Sequence, residues 1–118
     1  MFISGKSLKP IDFAGLRILD YTAGHDVSSS VAIIDVPSGA HHAEAWSKRS
    51  DKYYLVITGT VRFVLEGVET ELSTGDFCLV RQGRRFSYSN PWTAVARLVL
   101  VHTPNFDLGA EVILQPPG

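Results

Sequence analysis

Several features that would assign this sequence to a particular class of protein are missing from it. A single cysteine, Cys78, excludes an internal disulfide framework and fits a reducing compartment. The longest strongly apolar run, residues 98–101, is far too short to span a bilayer, and the residues after Met1 form no apolar signal-peptide core. The 11 basic and 12 acidic side chains leave a formal charge of -1, so no global charge attracts nucleic acid or an anionic membrane. These absences predict a soluble, cytoplasmic protein without a nucleic-acid or membrane partner.

Helical periodicity is also hard to find, and short β-branched or aromatic runs separated by turn signals stand in its place. The predicted strands are Leu16–Tyr21, Val31–Val36, Lys52–Thr58, Thr60–Glu66, Phe77–Val80, Arg85–Ser89 and Val95–His102. No segment between them has the length of a helix, which favours an antiparallel sandwich or barrel. With 118 residues, 45% of them hydrophobic, the sequence predicts one all-β domain spanning residues 1–118.

Alternation within two of these strands predicts which side chains point to a common interior. Lys52 and Tyr54 share one face of their strand, and Phe86 and Tyr88 share one face of theirs. Neither face of the first strand is cleanly polar, as expected when one packs outward and the other lines a lumen. These four side chains are therefore candidates for the wall of an internal pocket.

The sharpest motif runs from Gly75 through Gly83 to Asn90. Its spacing resembles the second motif of the cupin superfamily, which carries a proline and a metal-binding histidine at two further positions. Here Arg81 replaces that proline and Phe86 replaces that histidine. The three matching residues make this resemblance specific for the fold.

The strand that ends at Gly59 resembles the end of the first cupin motif. Counting back from Gly59, the glutamate ligand position is Lys52 and the two histidine positions are Ala45 and Ser47. The two motifs together cover residues 39–90, and the flanking strands complete a small barrel. The resemblance implies a single cupin domain, an RmlC-like antiparallel jelly-roll barrel.

The resemblance also implies four metal positions that hold no metal ligand. A cupin metal site needs imidazole nitrogens and a carboxylate that converge on one ion. Lys52 would repel that ion and Phe86 would fill its space, while a spacing one residue shorter brings in only Trp46 and Lys48. We therefore expect no metal and no other cofactor, which disfavours metal-dependent dioxygenase or oxalate chemistry.

Strand parity selects one of two adjacent histidines as a candidate base. If Ala45 and Ser47 face inward and the strand is regular, His41 also faces inward and His42 faces outward. A bulge near Gly39 would exchange the two histidines, so His42 is the alternative. An imidazole in the lumen would accept a proton near neutral pH.

The expected lumen is a wet, mixed pocket lined by His41, Tyr54, Phe86 and Tyr88, with Lys52 on the same face. Such a pocket combines a neutral base, a cation and two phenols. These groups can perform acid–base chemistry without a metal, because the cation and the phenols can stabilise a developing oxyanion or protonate a leaving hydroxyl.

A narrower pattern is scattered over residues 38–112. It consists of His41, Glu44, Arg49, Ser50, Tyr54, Tyr88, Pro104 and Glu111. This pattern resembles the small metal-free cupin dehydratases, among them the nucleoside 3'-dehydratases of uridyl-peptide antibiotic biosynthesis. The resemblance implies that His41, Tyr54, Tyr88 and Glu111 are catalytic, since the corresponding positions are implicated in the active sites of those enzymes.

The leading hypothesis is a metal-independent lyase that eliminates water from a small carbonyl-activated sugar or nucleoside. His41 would abstract the proton α to the carbonyl, Tyr54 and Tyr88 would hold the enolate or the leaving oxygen, and Glu111 would position a hydroxyl. The expected substrate-binding residues are Lys52, Phe86 and His42.

Three alternatives stay open at this point. A sugar isomerase or epimerase would use the same enolate, and a non-catalytic barrel would bind a small molecule in an aromatic cage. A metal enzyme would need displaced ligands such as His41, His42, Glu44 and His102, although His102 ends a strand and is expected to be structural.

Residues 1–10 could add an edge strand and pair two copies into a homodimer.

Overall fold

The computed structural model describes residues 1–114 and contains, within them, eleven β-strands, two short 3-10 helices and no α-helix. The 3-10 helices are Gly5–Ser7 and Leu108–Ala110. The strands are β1 (Ile11–Phe13), β2 (Leu16–Asp20), β3 (Ser30–Val36), β4 (His41–Ser47), β5 (Asp51–Thr58), β6 (Thr60–Leu65), β7 (Val68–Ser73), β8 (Phe77–Val80), β9 (Phe86–Ser89), β10 (Ala96–Thr103) and β11 (Glu111–Ile113).

The strands form two antiparallel sheets that pack into a jelly-roll barrel, as the sequence predicts. One sheet has the order β1-β2-β3-β10-β5-β8 and the other the order β11-β4-β9-β6-β7. All seven predicted strands are present, and their ends differ from the prediction by at most one residue. Within the described residues, no helix is long and apolar enough to cross a membrane.

The core between the sheets is built around four buried aromatic rings. Tyr54 meets Phe63 edge to face with ring centroids 5.3 Å apart, and Phe63 stacks on Tyr88 at 5.5 Å. Phe86 completes the group and, like the other three, is at most 2% exposed. These rings come from β5, β6 and β9, so they join the two sheets through one cluster.

Asn90 shows why the second motif needs an asparagine at its end. This side chain is fully buried, and its amide donates to the carbonyl oxygens of Val36 (2.9 Å) and Ala94 (2.8 Å). Its oxygen accepts from the backbone N–H of Trp92 at 2.9 Å. The side chain thus pairs with three backbone groups where the chain leaves β9.

The amino-terminal segment differs from the expectation of an edge strand over residues 1–10. That segment contains the 3-10 helix at residues 5–7, and Ser4 caps the helix by accepting from the N–H of Lys6. One edge of the six-stranded sheet is instead β1, which pairs only with β2. The expected homodimer stays a prediction of the sequence.

Candidate functional site

The two sheets enclose a cavity of about 330 Å³. Its mouth lies among four partly exposed apolar side chains, Ile11, Phe106, Leu108 and Ile113. The polar side chains that line it are Asp20, Ser30, His42, Lys52, Tyr54, Tyr88, His102 and Glu111. The volume falls within the range of small-molecule pockets, which are usually apolar with a few convergent polar groups.

Lys52, His102 and Glu111 form a polar cluster in this cavity. Lys52 on β5 and His102 on β10 are direct partners across neighbouring strands, and Glu111 begins β11 on the opposite sheet. The Lys52 ammonium donates to Glu111 Oε1, and its Nζ lies 2.9 Å from His102 Nε2. Because an ammonium can only donate, His102 Nε2 is the acceptor, and the neutral ring carries its proton on Nδ1.

Burial and mutual charge set the protonation of this cluster. Burial lowers the pKa of Lys52, and the Glu111 carboxylate opposes part of that change. For Glu111, burial disfavours the charged form, but His102 and the Lys52 ammonium outweigh this and its pKa is lowered. Burial also lowers the pKa of His102. The lowered pKa values favour a carboxylate at Glu111 and a neutral imidazole at His102 at neutral pH. The ammonium form of Lys52 fits its contact with the Glu111 carboxylate.

A bulge in β4 decides which of the two adjacent histidines enters the cavity. His42 pairs with Tyr88 and Ala45 with Phe86, so three residue steps on β4 oppose two steps on β9. This extra residue reverses the alternation between Ala45 and His41. His42 lines the cavity, whereas His41 is exposed. The inward orientation predicted for His41 is therefore wrong, and the alternative His42 takes its place, through a bulge at residues 43–44 rather than near Gly39.

The surroundings of His42 fix it as a neutral base. Its Nδ1 lies 2.6 Å from the carbonyl oxygen of Ala43, which can only accept, so Nδ1 carries the proton and Nε2 keeps its lone pair. Burial lowers the pKa of His42, the Ala43 contact opposes this, and the Lys52 charge adds to the lowering. The ring packs against Phe86 and Tyr88, with centroids 5.1 and 5.3 Å away.

Tyr54 and Tyr88 supply buried phenols to the same cavity. Burial raises the pKa of both hydroxyls above the ordinary value, so each is a protonated hydrogen-bond donor at neutral pH. Among residues 1–114, the Tyr88 hydroxyl and Glu111 Oε2 are buried polar atoms that make no hydrogen bond of ordinary geometry, although the Tyr54 and Tyr88 phenols are close enough to affect each other's pKa. Buried polar groups in proteins nearly always have a hydrogen-bond partner. Both atoms are therefore positioned to bind a polar ligand in the cavity.

Sequence and structure comparisons assign this fold to a family. A family model for the cupin domain matches residues 32–102. The chain belongs to the cupin family. Among solved structures, the nucleoside dehydratase Pac13 superposes on this cupin with a TM-score of 0.84 and 21% identity, covering 98% of this chain and 91% of that one.

Two further solved structures share this form of the barrel. A variant of Streptomyces PAC13 with uridine matches with a TM-score of 0.81 and 21% identity, covering 95% of this cupin and 88% of that chain. KdgF from Halomonas sp. matches with a TM-score of 0.80 and 18% identity, covering 91% and 96% respectively. A search of curated protein sequences found no match. At these identities the likenesses show the fold alone.

The metal positions of this cupin do not fit a metal ion. Ala45, Ser47, Lys52 and Phe86 are all at most 4% exposed, so the four predicted positions do face the interior. The side chains of Ala45 and Phe86 have no atom that can bind a metal. Lys52 Nζ lies 5.4 Å from the centre of the Phe86 ring. An ammonium thus lies where the cupin resemblance would place a metal cation, and these four side chains do not form a metal site.

The displaced ligand set considered from the sequence does not converge either. His41 and Glu44 are exposed on β4, whereas His42 and His102 line the cavity. Within the described part of the chain, no group of three His, Cys, Asp or Glu side chains could hold a metal ion. The histidines of this chain are thus divided between the surface and the pocket.

The structure brings most of the predicted site together and corrects two members. Lys52, Tyr54, Tyr88 and Glu111 line one cavity, as expected. Phe86, expected to bind substrate, does not line it, because its ring lies in the core behind His42 and Lys52. The sequence interpretation treated His102 as structural and did not predict that its side chain lines this cavity.

The signal for His102 was present in the alternation of β10. Ala96, Leu98 and Leu100 share the buried face of that strand, and His102 continues the same parity. The aliphatic wall of the cavity was missed as well, because part of it comes from β1 and from the 3-10 helix at residues 108–110. Neither element has a clear strand or helix pattern in the sequence.

Proposed function

We propose that this cupin is a metal-independent lyase that removes water from a β-hydroxy carbonyl compound, the chemical class of a carbonyl-activated sugar or nucleoside. One observation carries the proposal. The cavity holds a neutral imidazole with a free Nε2 lone pair, protonated phenols and a buried ammonium around one space. The fold it shares with a nucleoside dehydratase adds support.

The first step is removal of the proton on the carbon α to the carbonyl. His42 Nε2 takes this proton, and the electrons of the broken C–H bond move into an enolate. The lowered pKa of His42 keeps the ring unprotonated and ready to act near neutral pH. The Tyr88 hydroxyl, which makes no hydrogen bond of ordinary geometry within the described residues, donates to the enolate oxygen, and Tyr54 adds a second phenol.

The second step expels the β-hydroxyl. The enolate electrons form the carbon–carbon double bond as the carbon–oxygen bond breaks, and a proton from the Lys52 ammonium converts the leaving hydroxide into water. The lowered pKa of Lys52 makes this donation easier than from an ordinary lysine. Glu111 positions the hydroxyl through Oε2, while its Oε1 accepts from Lys52. Proton transfer from His42 to Lys52 then restores the starting state.

The adjacent histidines provide a matched test of the base. We expect His42→Gln to lower the dehydration rate by roughly 10²- to 10⁴-fold, the usual contribution of a positioned general base. His41→Gln changes the same residue type one position away, on the exposed side of β4, and should leave the rate within about twofold of wild type. A larger loss at His41 than at His42 would contradict the mechanism.

The measurement needs substrates that contain the required bonds. Suitable compounds are the aldol adducts of acetone with benzaldehyde and with glycolaldehyde, and uridine oxidised to an aldehyde at its primary alcohol. Dehydration is followed by absorbance of the conjugated product, and exchange at the α-carbon by NMR in deuterated water. Exchange without loss of water would favour the isomerase or epimerase alternative, and binding without exchange would favour a non-catalytic barrel.

A further inference from the structure

The outer part of the cavity is lined by side chains that carry no hydrogen-bonding atom. Ile11 and Phe13 come from β1, Ile18 from β2, and Leu108 from the 3-10 helix that precedes β11. These residues form the outer wall of the cavity. The Lys52–His102–Glu111 cluster, His42 and the two phenols make up most of its polar lining.

Each of the two remaining polar lining residues accepts from the backbone of a nearby loop through one oxygen. Asp20 Oδ1 accepts from the N–H groups of Thr22 (3.1 Å) and Ala23 (3.0 Å). Ser30 Oγ accepts from the N–H of Phe106 at 2.8 Å. These contacts stabilise the loops around the cavity. The side chains of the outer wall are themselves hydrocarbon and offer a ligand only apolar contact.

The wall decides which substituent a ligand can place against it. The edge of a nucleobase or the hydroxyls of a sugar would leave polar atoms unpaired there, and each unpaired atom costs roughly tenfold or more in affinity. An apolar group loses nothing and gains by leaving water. The volume suffices, because a cavity of roughly 150 Å³ already holds a benzene ring and this one measures about 330 Å³.

We infer that the ligand of this cavity is an amphipathic carbonyl compound. Its polar head reaches the cluster of Lys52 and Glu111, and an apolar body about the size of a phenyl ring or a short branched alkyl chain packs on the outer wall. This inference rests on the proposed function only for the reacting end of the molecule. The apolar body follows from the wall itself.

Binding of two unreactive probes tests the inference without any turnover. Benzylacetone has a ketone and a phenyl ring but no β-hydroxyl, and uridine has the polar base and sugar without an activating carbonyl. In NMR titrations of the wild-type protein we expect benzylacetone to bind at least about tenfold more tightly than uridine. Tighter binding of uridine, or no binding of benzylacetone, would overturn the inference.

Two exposed aliphatic residues, one at the cavity mouth and one outside the cavity, test whether benzylacetone contacts the outer wall. Leu108 at the cavity mouth is 68% exposed and Val68 on β7, outside this cavity, is 66% exposed, so both tolerate replacement by serine. We expect Leu108→Ser to weaken benzylacetone binding by roughly three- to tenfold and Val68→Ser to leave it unchanged. Equal effects of the two changes would also overturn the inference.

The outcome is separable from that of the lyase mechanism. Tight benzylacetone binding combined with no dehydration of any aldol adduct would retain the apolar ligand and reject the lyase. Dehydration of the uridine aldehyde, together with tight uridine binding and no benzylacetone binding, would retain the lyase and reject the apolar ligand.

Discussion

Lys52 inverts the charge pattern of the position it occupies. The cupin resemblance places a glutamate ligand there, where a carboxylate would hold a bound cation. In this chain the side chain is itself the cation, and the carboxylate comes from Glu111 on the opposite sheet. One buried attraction between opposite charges is thus retained, with the cation now on β5 and the carboxylate on β11, and Lys52 rather than a metal ion neutralises the charge of Glu111.

The Lys52–Glu111 pair leads to a prediction about the free energy of unfolding. Lys52→Met should lower the free energy of unfolding by about 3–5 kcal/mol, because it leaves the Glu111 carboxylate buried without its cation. The double change Lys52→Met with Glu111→Leu should recover most of that loss, since no buried charge is left unpaired. Urea denaturation of wild type, both single variants and the double variant measures the coupling. Additive losses in the double variant would show that the two side chains do not depend on each other.

Several polar residues of the cavity could be predicted from the sequence, but not which of the two adjacent histidines lines the cavity. Lys52, Tyr54 and Tyr88 follow from alternation in strands that remain regular. His41 and His42 could not be told apart, because one extra residue in β4 reverses the parity and no glycine or proline marks it. A bulge formed by alanine and glutamate leaves no turn signal that a pattern could detect.

At the scale of the elements, Gly59 shows how a turn constrains the barrel. It joins β5 to β6 with a φ of 82°, and a Cβ atom at this position would lie 2.7 Å from the Cα of Ala96. Gly67, between β6 and β7, has a similar φ of 78° but nothing within 4 Å of its missing Cβ. A side chain at Gly67 would meet only backbone strain, whereas a side chain at Gly59 would also collide with β10.

This contrast predicts different costs for the same substitution. Gly67→Ala should destabilise the protein by roughly 1–2 kcal/mol, the cost of a left-handed backbone at an alanine. Gly59→Ala should cost at least about 2 kcal/mol more, because the backbone of β10 cannot yield without disturbing its pairing with β5. Thermal and urea unfolding of the two variants compare them directly. Equal losses would mean that the strand ends accommodate the methyl group.

The strands themselves were more predictable than the site because seven of them follow hydrophobic alternation. Four strands, β1, β4, β7 and β11, were not predicted from the sequence, and each has a physical reason to be inconspicuous. β4 has mostly small or polar residues, and a bulge interrupts its alternation. β7 is an edge strand rich in glutamate with a mostly exposed face, and β1 and β11 have three residues each. Short and edge strands are held by pairing with a neighbour rather than by their own pattern. Because β1 and β11 line part of the cavity and have no clear pattern, the apolar part of the pocket could not be predicted from the sequence.

At the scale of the whole molecule, the site makes the fold sensitive to acid. His42 and His102 both have a lowered pKa in the folded protein, with burial as the largest cause. When the pH falls through the unfolded value of about 6.5, the unfolded chain takes up protons that the folded chain refuses. The free energy of unfolding therefore decreases with falling pH. The lowered pKa of Glu111 acts in the same direction at more acidic pH.

This dependence predicts that the protein is less stable at pH 5 than at pH 7, and that His42 causes part of the difference. A histidine kept neutral in the folded state can account for up to about 2 kcal/mol over this range. In His42→Gln the loss between the two pH values should shrink by about that amount, because glutamine does not titrate. His41→Gln, at an exposed position on the same strand, should show the full wild-type loss. Urea denaturation of the three proteins at both pH values makes the comparison. If His42→Gln loses as much stability as wild type, His42 is protonated as readily in the folded chain as in the unfolded one, and it cannot be the neutral base on which the proposed reaction depends.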